Sequence, residues 1–210
     1  MKDWQVVGMR AAPVVLVVVL CYGAALKAQG PELQSVDAFS SSGQATVGGK
    51  TGQYKVEHLP VSSFPALPTA VSAELNRRGC LIPQTFEAHG PENVIHGSFR
   101  RPGEKDWAVL CSVHGTVSLL VFFDGAPESP EVLATAAETS RLAPNNATGK
   151  LEFDWGIDRA TPVQLHEAQA GIRPRPAKAD HDGIADSTVD GATMYWLYSG
   201  SAWSVTQTTE

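Results

Sequence analysis

Apolar residues occur along this chain in short runs separated by turn residues, and the longest runs predict a β-hairpin. These runs cover residues 107–113 and 116–123, and His114-Gly115 between them is typical of a two-residue turn. Another strand is predicted at residues 93–99. Residues 93–123 are therefore predicted to form a three-stranded antiparallel meander at the centre of a sheet.

Two short helices are predicted from apolar spacing and from end signals. In residues 69–78, apolar side chains recur one turn apart, Thr69 can cap the N-terminus and Gly79 can end the helix. Thr161-Pro162-Val163-Gln164 matches a capping box with Pro at the first helical position, and this second helix is expected to end at Gly171. Both helices, near 69–78 and 162–170, are expected to pack against the meander.

The remaining segments complete a predicted α+β fold, an antiparallel sheet built on the central meander with a few short packed helices. Residues 150–155 are predicted to be a strand, and residues 192–206 a hairpin that turns at Ser199-Gly200. Residues 131–142 stay open, because their alanines favour a helix and their threonines oppose one.

The N-terminal region has the pattern of a secretory signal peptide, predicted over residues 1–28. Basic residues precede an uncharged apolar run, residues 11–26, and small residues that suit cleavage follow. As a helix the run would span about 24 Å, short of the roughly 30 Å hydrocarbon core, which disfavours an uncleaved anchor. Lipidation of Cys21 is the other alternative. The chain is expected to be secreted or periplasmic, with membrane contact only through this segment if it is not cleaved.

Composition divides the rest of the chain in two. Residues 29–63 are rich in Ser, Gly, Gln and Thr and are predicted to be a flexible lead segment, and residues 64–210 to be a single domain. The net charge is −6, and residues 1–28 contribute +2 through Lys2, Arg10 and Lys27 against Asp3, so −8 remains. Such an acidic domain lacks the basic surface that nucleic-acid binding requires.

Cys80 and Cys111 are the two cysteines that follow the predicted signal peptide. An isolated pair in an oxidising compartment predicts a disulfide bond. The alternative is a reactive thiol at Cys111 activated by His114. Three residues along a strand place these two side chains on opposite faces, which disfavours the alternative.

No established catalytic or nucleotide-binding motif occurs, so candidate chemistry rests on isolated side chains. His181 and Asp182 are weak candidates for a general base and its partner, with solvated loop side chains as the alternative interpretation. The surrounding acidic residues lack the spacing of an EF-hand calcium loop. His96 and His114 could bind a metal across strands, but outward-facing histidines are the favoured interpretation, so no metal or cofactor is predicted.

Aromatic residues cluster in the predicted C-terminal hairpin. Trp196, Tyr198 and Trp203 could form a platform on which a sugar or a peptide stacks. Ordinary cross-strand packing and core filling is the favoured alternative, because aromatic residues pack in this way in most hairpins.

Two blocks of sequence resemble a group of uncharacterised secreted bacterial proteins. The first contains Asn93-Val-Ile-His-Gly-Ser-Phe and Asp106-Trp-Ala-Val-Leu-Cys, and the second contains His181-Asp-Gly-Ile-Ala-Asp and the hairpin that follows. This resemblance implies an exported protein and no particular reaction. Residues 93–123 also resemble half of an FG-GAP propeller repeat, with Arg100-Arg101-Pro102 in place of the repeat's Asp-rich calcium loop.

These patterns predict an exported protein without enzymatic activity, a binding or structural domain of the cell envelope or extracellular space. The expected partner is a protein or a glycan. The alternative is a secreted hydrolase whose site, with His181 and Asp182, assembles only in the fold.

Overall fold

The structure, a computed structural model, describes residues 39–124, 126, 128–189 and 191–207. The predicted signal peptide, with Cys21, lies outside these residues. The helices are α1 (Thr69–Arg78) and α2 (Pro162–Ala168). The strands are β1 (Ser40–Val47), β2 (Lys50–Pro60), β3 (Leu81–Gln84), β4 (Val94–Gly97), β5 (Asp106–Val113), β6 (Thr116–Phe122), β7 (Glu131–Ala137), β8 (Leu142–Asn145), β9 (Lys150–Phe153), β10 (Trp155–Ala160), β11 (Gly183–Thr188), β12 (Thr193–Ser199) and β13 (Ala202–Gln207).

The strands form two sheets, and the fold is mostly β. In the nine-stranded first sheet the order is β7-β6-β5-β3-β2-β9-β8, with β1 paired to β2 and β4 to β5. Its neighbours are antiparallel except for β2 and β9, which are parallel. The second sheet, β10-β11-β12-β13, is antiparallel throughout. The predicted meander is confirmed in part, because β4, β5 and β6 are antiparallel neighbours but β5 also pairs with β3.

The first sheet is buried on both faces, which explains the unbroken apolar run of β5. Leu110 and Leu119 face a core that is shared with the second sheet. Val109 and Leu120 face the opposite core, which α1 covers with Leu75. Because side chains alternate along a strand, a strand with two covered faces is apolar at nearly every position.

The β1–β2 hairpin corrects the prediction of a flexible lead segment over residues 29–63. Its strands pair in continuous register from Ser40 opposite Glu57 to Val47 opposite Lys50, and Val56 is fully buried. The segment is polar because β1 lies at an edge of the sheet, where backbone pairing needs few apolar side chains. The folded domain therefore includes residues 40–63 and does not begin at 64.

Both predicted hairpins are present. His114 and Gly115 have φ values of 50° and 76°, as a two-residue turn with two left-handed positions requires. In the second hairpin the turn is Gly200-Ser201, one residue later than predicted. These two residues have φ values of 59° and 85°, so they adopt the turn conformation that the prediction placed at Ser199-Gly200.

The first helix has the predicted bounds, residues 69–78, but not the predicted cap. Pro68 occupies the N-cap position and makes no side-chain cap, and Thr69 is already helical. At the other end Gly79 has a φ of 75° and donates its N–H to the carbonyl of Asn76, as expected for a left-handed stop. The disulfide between Cys80 and Cys111 is formed, with 5.1 Å between the Cα atoms, and ties this helix end to β5.

The second helix has the predicted capping box but a different packing partner. The Thr161 side chain accepts from the Gln164 N–H, and the Gln164 side chain accepts from the Thr161 N–H. The helix ends at Ala168, before the expected stop at Gly171. Its buried Leu165 lies against Gly183 of β11. This helix therefore packs on the second sheet and not on the meander, because β10 leads directly into it.

Two further segments, residues 131–142 and 150–155, consist mainly of strands. Residues 131–137 form β7 at an edge of the first sheet, with Glu138–Ser140 as a single 3-10 turn. The predicted strand at 150–155 is divided between β9 and the start of β10, which belong to different sheets.

Asn93, just before β4, joins the two sheets. Its side-chain oxygen accepts from the N–H of Ile157 in β10 at 3.0 Å, and its side-chain nitrogen donates to the carbonyl of Trp155 at 3.3 Å. Its φ of 67° is a conformation that asparagine tolerates better than most residues. These contacts place β4 beside β10 and so bring together two edges that line the cleft described next.

Candidate functional site

A cleft of about 550 Å³ opens where β4 and β5 meet the loops before α1 and β11. His96 of β4 lies directly opposite Trp107 of β5, with ring centroids 5.3 Å apart in an edge-on arrangement. Trp107 is half-buried: it packs against the core that α1 covers and also lines the cleft. We call this site the Trp107 cleft. Its other polar lining residues include Ser98, Glu104, Lys105, Asp124, Arg159 and Asp182.

The buried carboxylate of Asp106 fixes the loop that forms one wall. One of its oxygens accepts from the N–H groups of Phe99 and Arg100 at 2.8 and 2.9 Å, and the other accepts from the N–H of Asp124 at 2.8 Å. Burial raises the pKa of Asp106, although these backbone hydrogen bonds act in the opposite direction. One side chain thus holds both loops that border the cleft.

The same loop is closed by side chains of its own. The Ser98 hydroxyl donates to the carbonyl of Glu104 at 3.0 Å and accepts from the N–H of Gly103 at 3.2 Å. The guanidinium of Arg100 donates to both carboxylate oxygens of Glu104, at 2.9 and 3.2 Å. The wall is therefore held in place before any ligand arrives.

Charged groups of both signs face into the cleft. The Asp182 carboxylate accepts from the Ser98 N–H at 3.1 Å and lies 3.8 Å from the Arg159 guanidinium. Arg159 is about half exposed, and Lys105 is exposed. An aromatic wall with donors and acceptors around it suits a polar ligand that also has apolar patches.

The side chains of His181 and Asp182, the weak catalytic candidates, are not hydrogen-bonded to each other. The His181 Nδ1 donates to the backbone carbonyl of Asp182 at 2.9 Å, while the Asp182 carboxylate is bonded to Ser98. His181 lines a second cleft of about 610 Å³, which we call the His181 cleft, together with Ser199 and Ser201. Within the described residues no hydrogen bond joins His181 to either serine.

The aromatic candidates of the C-terminal hairpin are half-buried against the shared core. Tyr198 and Trp203 both contact Phe123, with centroids 5.2 and 6.2 Å apart. The ring N–H of Trp196 donates to Asp186, and that of Trp203 donates to Glu131. The bond of Trp203 to Glu131 is exposed, that of Trp196 to Asp186 is partly buried, and Tyr198 alone of the three also lines the His181 cleft.

The histidines considered for a metal are far apart. His96 is opposite Trp107 near the start of β5, whereas His114 is in the turn after its last residue. The cross-strand pair, which is the less favoured alternative, is therefore not formed. No group of three or more His, Cys, Asp or Glu side chains suited to a metal occurs among residues 39–124, 126, 128–189 and 191–207.

A buried polar network, which no sequence pattern indicates, lies at a third cleft of about 300 Å³. Glu138 accepts from the Nε2 of His58 at 2.7 Å, from the Ser41 hydroxyl at 2.7 Å, and from the Ser112 hydroxyl. The Nδ1 of His58 faces the carbonyl of Phe39 at 3.2 Å. Both ring nitrogens of His58 thus face acceptor oxygens.

This network is not a catalytic triad. In a triad the histidine lies between the hydroxyl and the carboxylate, so that it can take the hydroxyl proton. Here Glu138 lies between Ser112 and His58. Burial would raise the pKa of Glu138, but hydrogen bonds from His58, Ser112 and Ser41 lower it to about 2. The network is a structural set of buried hydrogen bonds that fastens the β1–β2 hairpin to β5 and to the turn after β7.

Comparison of the chain with known protein families, with curated proteins and with solved structures finds no match. Within the described part of the chain no helix has the length and apolar character needed to cross a membrane. The disulfide is compatible with an extracellular or periplasmic protein.

Proposed function

We propose that this protein is an exported binding domain without enzymatic activity that holds a saccharide in the Trp107 cleft. The observation that carries the proposal is the indole of Trp107 in a cleft wall surrounded by charged side chains. The apolar face of a sugar ring can lie against an aromatic ring, while its hydroxyl groups bond to carboxylates and guanidinium groups. Trp107 supplies the first contact, and Asp182 and Arg159 supply the second.

The rigidity of the cleft supports this function. Binding loses affinity when loops and side chains must be ordered, so a wall fixed in advance favours a small polar ligand. Asp106 holds the 98–105 loop through two backbone N–H groups and the loop at 124 through a third, and Arg100 and Glu104 close the first loop. The net negative charge of the chain argues against nucleic acid as the ligand.

Replacing Trp107 by alanine is expected to weaken saccharide binding about 30-fold, because an aromatic residue central to a site contributes about 2 kcal/mol. Binding of the oxidised protein would be measured by calorimetry with the strongest binders from an oligosaccharide array. Trp203→Phe is the matched control. It keeps an aromatic ring beside Phe123 and is expected to change affinity by no more than about twofold. Equal losses in both variants would contradict the proposal.

A secreted hydrolase remains the second candidate, favoured by one observation. Asp182 and Asp124 both line the Trp107 cleft, and glycoside hydrolysis uses a pair of carboxylates. The two functions differ in their products. Incubation with the bound oligosaccharides should release no new reducing ends if the protein only binds them. Release that is abolished by Asp182→Asn would establish the hydrolase instead.

A further inference from the structure

We propose that Arg159 and Asp182 together select a neutral saccharide by holding one of its hydroxyl groups between them. This role rests on the proposed function, because it names the feature of the saccharide that the Trp107 cleft recognises. Three properties support it: the distance between the two side chains, the hydrogen-bonding capacity that each retains, and the balance of charge around them.

The Arg159 and Asp182 side chains are close to each other but not directly hydrogen-bonded. Nη1 of Arg159 lies 3.8 Å from Oδ2 of Asp182, which is too long for a hydrogen bond between nitrogen and oxygen. A hydroxyl oxygen about 2.8 Å from each of these atoms fits between them, because 3.8 Å is well under twice that length. The gap therefore has the width for one hydroxyl group.

Both side chains keep hydrogen-bonding capacity for a ligand. Oδ2 of Asp182 accepts from the Ser98 N–H at 3.1 Å, which uses one of its two acceptor positions. Within the residues that the structure describes, no hydrogen bond engages the other oxygen of Asp182 or the guanidinium of Arg159. A hydroxyl group both donates and accepts, so it satisfies the carboxylate and the guanidinium at the same time, whereas an ether oxygen only accepts and an ammonium group only donates.

Strands of both sheets position the pair. The Asp182 N–H donates to the Ser98 carbonyl at 3.1 Å, and the Asp182 carboxylate lies over Gly97 of β4, where a Cβ atom would come within 3.1 Å of Oδ2. Arg159 of β10 is paired with Ile184 of β11, two residues beyond Asp182. The gap between the two side chains is therefore formed before a ligand arrives, which favours binding.

The charges that line the Trp107 cleft balance. Glu104 is paired with Arg100 through hydrogen bonds of 2.9 and 3.2 Å, and the arginine and the carboxylate of the proposed pair sum to zero. Asp124 and Lys105 are the remaining carboxylate and ammonium group among the described residues that line the cleft, and they have opposite signs. Because neither sign is in excess, the cleft suits a neutral saccharide better than a charged one.

The test compares a neutral oligosaccharide that binds the oxidised full chain with its monodeoxy analogues, each of which lacks one hydroxyl group. We expect one analogue to bind at least about tenfold more weakly than the parent, because its binding leaves two charged groups without their partner. In Arg159→Met, which keeps the length of the side chain without its donors, this ratio should fall by at least about threefold. Counterparts that contain a uronic acid or an amino sugar should bind no more tightly than the parent.

Arg77→Met is the matched control. It removes the same charge from the end of α1, and Arg77 does not line the Trp107 cleft. The difference between the parent and the weakest analogue should therefore be retained in full. An equal decrease of the ratio in Arg77→Met and Arg159→Met would indicate a general effect of charge and would overturn the role of Arg159.

The other outcomes separate this role from the saccharide function. Equal binding of the parent and every analogue, while Trp107→Ala still weakens binding, would overturn the role and leave the function intact. The same conclusion would follow from a ratio that is unchanged in Arg159→Met, or from tighter binding of a charged counterpart. Absence of binding to every oligosaccharide would overturn the saccharide function and this role together.

Discussion

Replacing Glu138 by glutamine is expected to lower the free energy of unfolding by about 2–3 kcal/mol at pH 7, because it replaces a buried carboxylate that accepts three hydrogen bonds by an amide with one acceptor oxygen. Both side chains of this pair are about 5% exposed. Urea unfolding measures the loss directly. Glu57→Gln, on the strand that carries His58, is the matched control. Its carboxylate is 51% exposed, so the expected change is within about 0.5 kcal/mol.

The same variant should alter the dependence of stability on pH. Burial raises the pKa of Glu138, but the hydrogen bonds to His58, Ser112 and Ser41 lower it from 4.5 to about 2. A lowered pKa stabilises the fold above pH 4.5, and this contribution, about 3 kcal/mol, is lost as the pH falls from 4.5 towards 2. The difference between wild type and Glu138→Gln should therefore shrink over that range. A difference that stays constant down to pH 2.5 would contradict the lowered pKa of Glu138.

The second large effect is expected from removal of the disulfide. The bridge closes a loop of 31 residues that contains β3, β4 and most of β5. Changing Cys80 and Cys111 together to serine should lower the free energy of unfolding by roughly 3–4 kcal/mol, since the unfolded chain regains the freedom that the bridge removes. Reduced wild-type protein is the control and should show a similar loss. A loss below about 1 kcal/mol in both would contradict a stabilising bridge.

Local signals in the sequence predicted the local structure well. His114-Gly115 determines its turn through two left-handed residues, and Thr161 and Gln164 determine the start of α2 through a capping box. Each of these signals lies within a few residues. By contrast, no local pattern indicates that α2 packs on the second sheet. That packing depends on the contact between Leu165 and Gly183, which are distant in sequence.

The polar β1–β2 hairpin shows why composition alone misled. Its residues are mostly small and polar, so they resemble a linker. Val56 is the one hydrophobic residue of β2 that is fully buried in the core. Ala45, Val47 and Tyr54 are partly buried against the core, and backbone pairing along the whole hairpin and the bond between Ser41 and Glu138 also hold it in place. Those partners are 97 residues apart, a separation at which no sequence spacing signals a contact.

The candidate site was only partly accessible from sequence. His96 and Asp182 were singled out, but for a metal and for catalysis, and Trp107 was assigned to an apolar run. The cleft exists because Asn93 places β4 beside β10, and because Asp106 draws in the loops at 99–100 and 124. Both sets of contacts depend on tertiary structure. The sequence therefore does not indicate that the residues of the cleft lie together.

Indole N–H signals in a proton–nitrogen correlation spectrum provide the most direct measurement of where a saccharide binds. The full chain would be titrated with neutral, uronic and sulfated oligosaccharides. The saccharide function predicts that the indole signal of Trp107 and the amide of His96 shift, while the signal of Trp155, buried and bonded to Asp186, stays in place. Shifts confined to Trp196 and Trp203, or no shift with any oligosaccharide, would contradict binding in the Trp107 cleft.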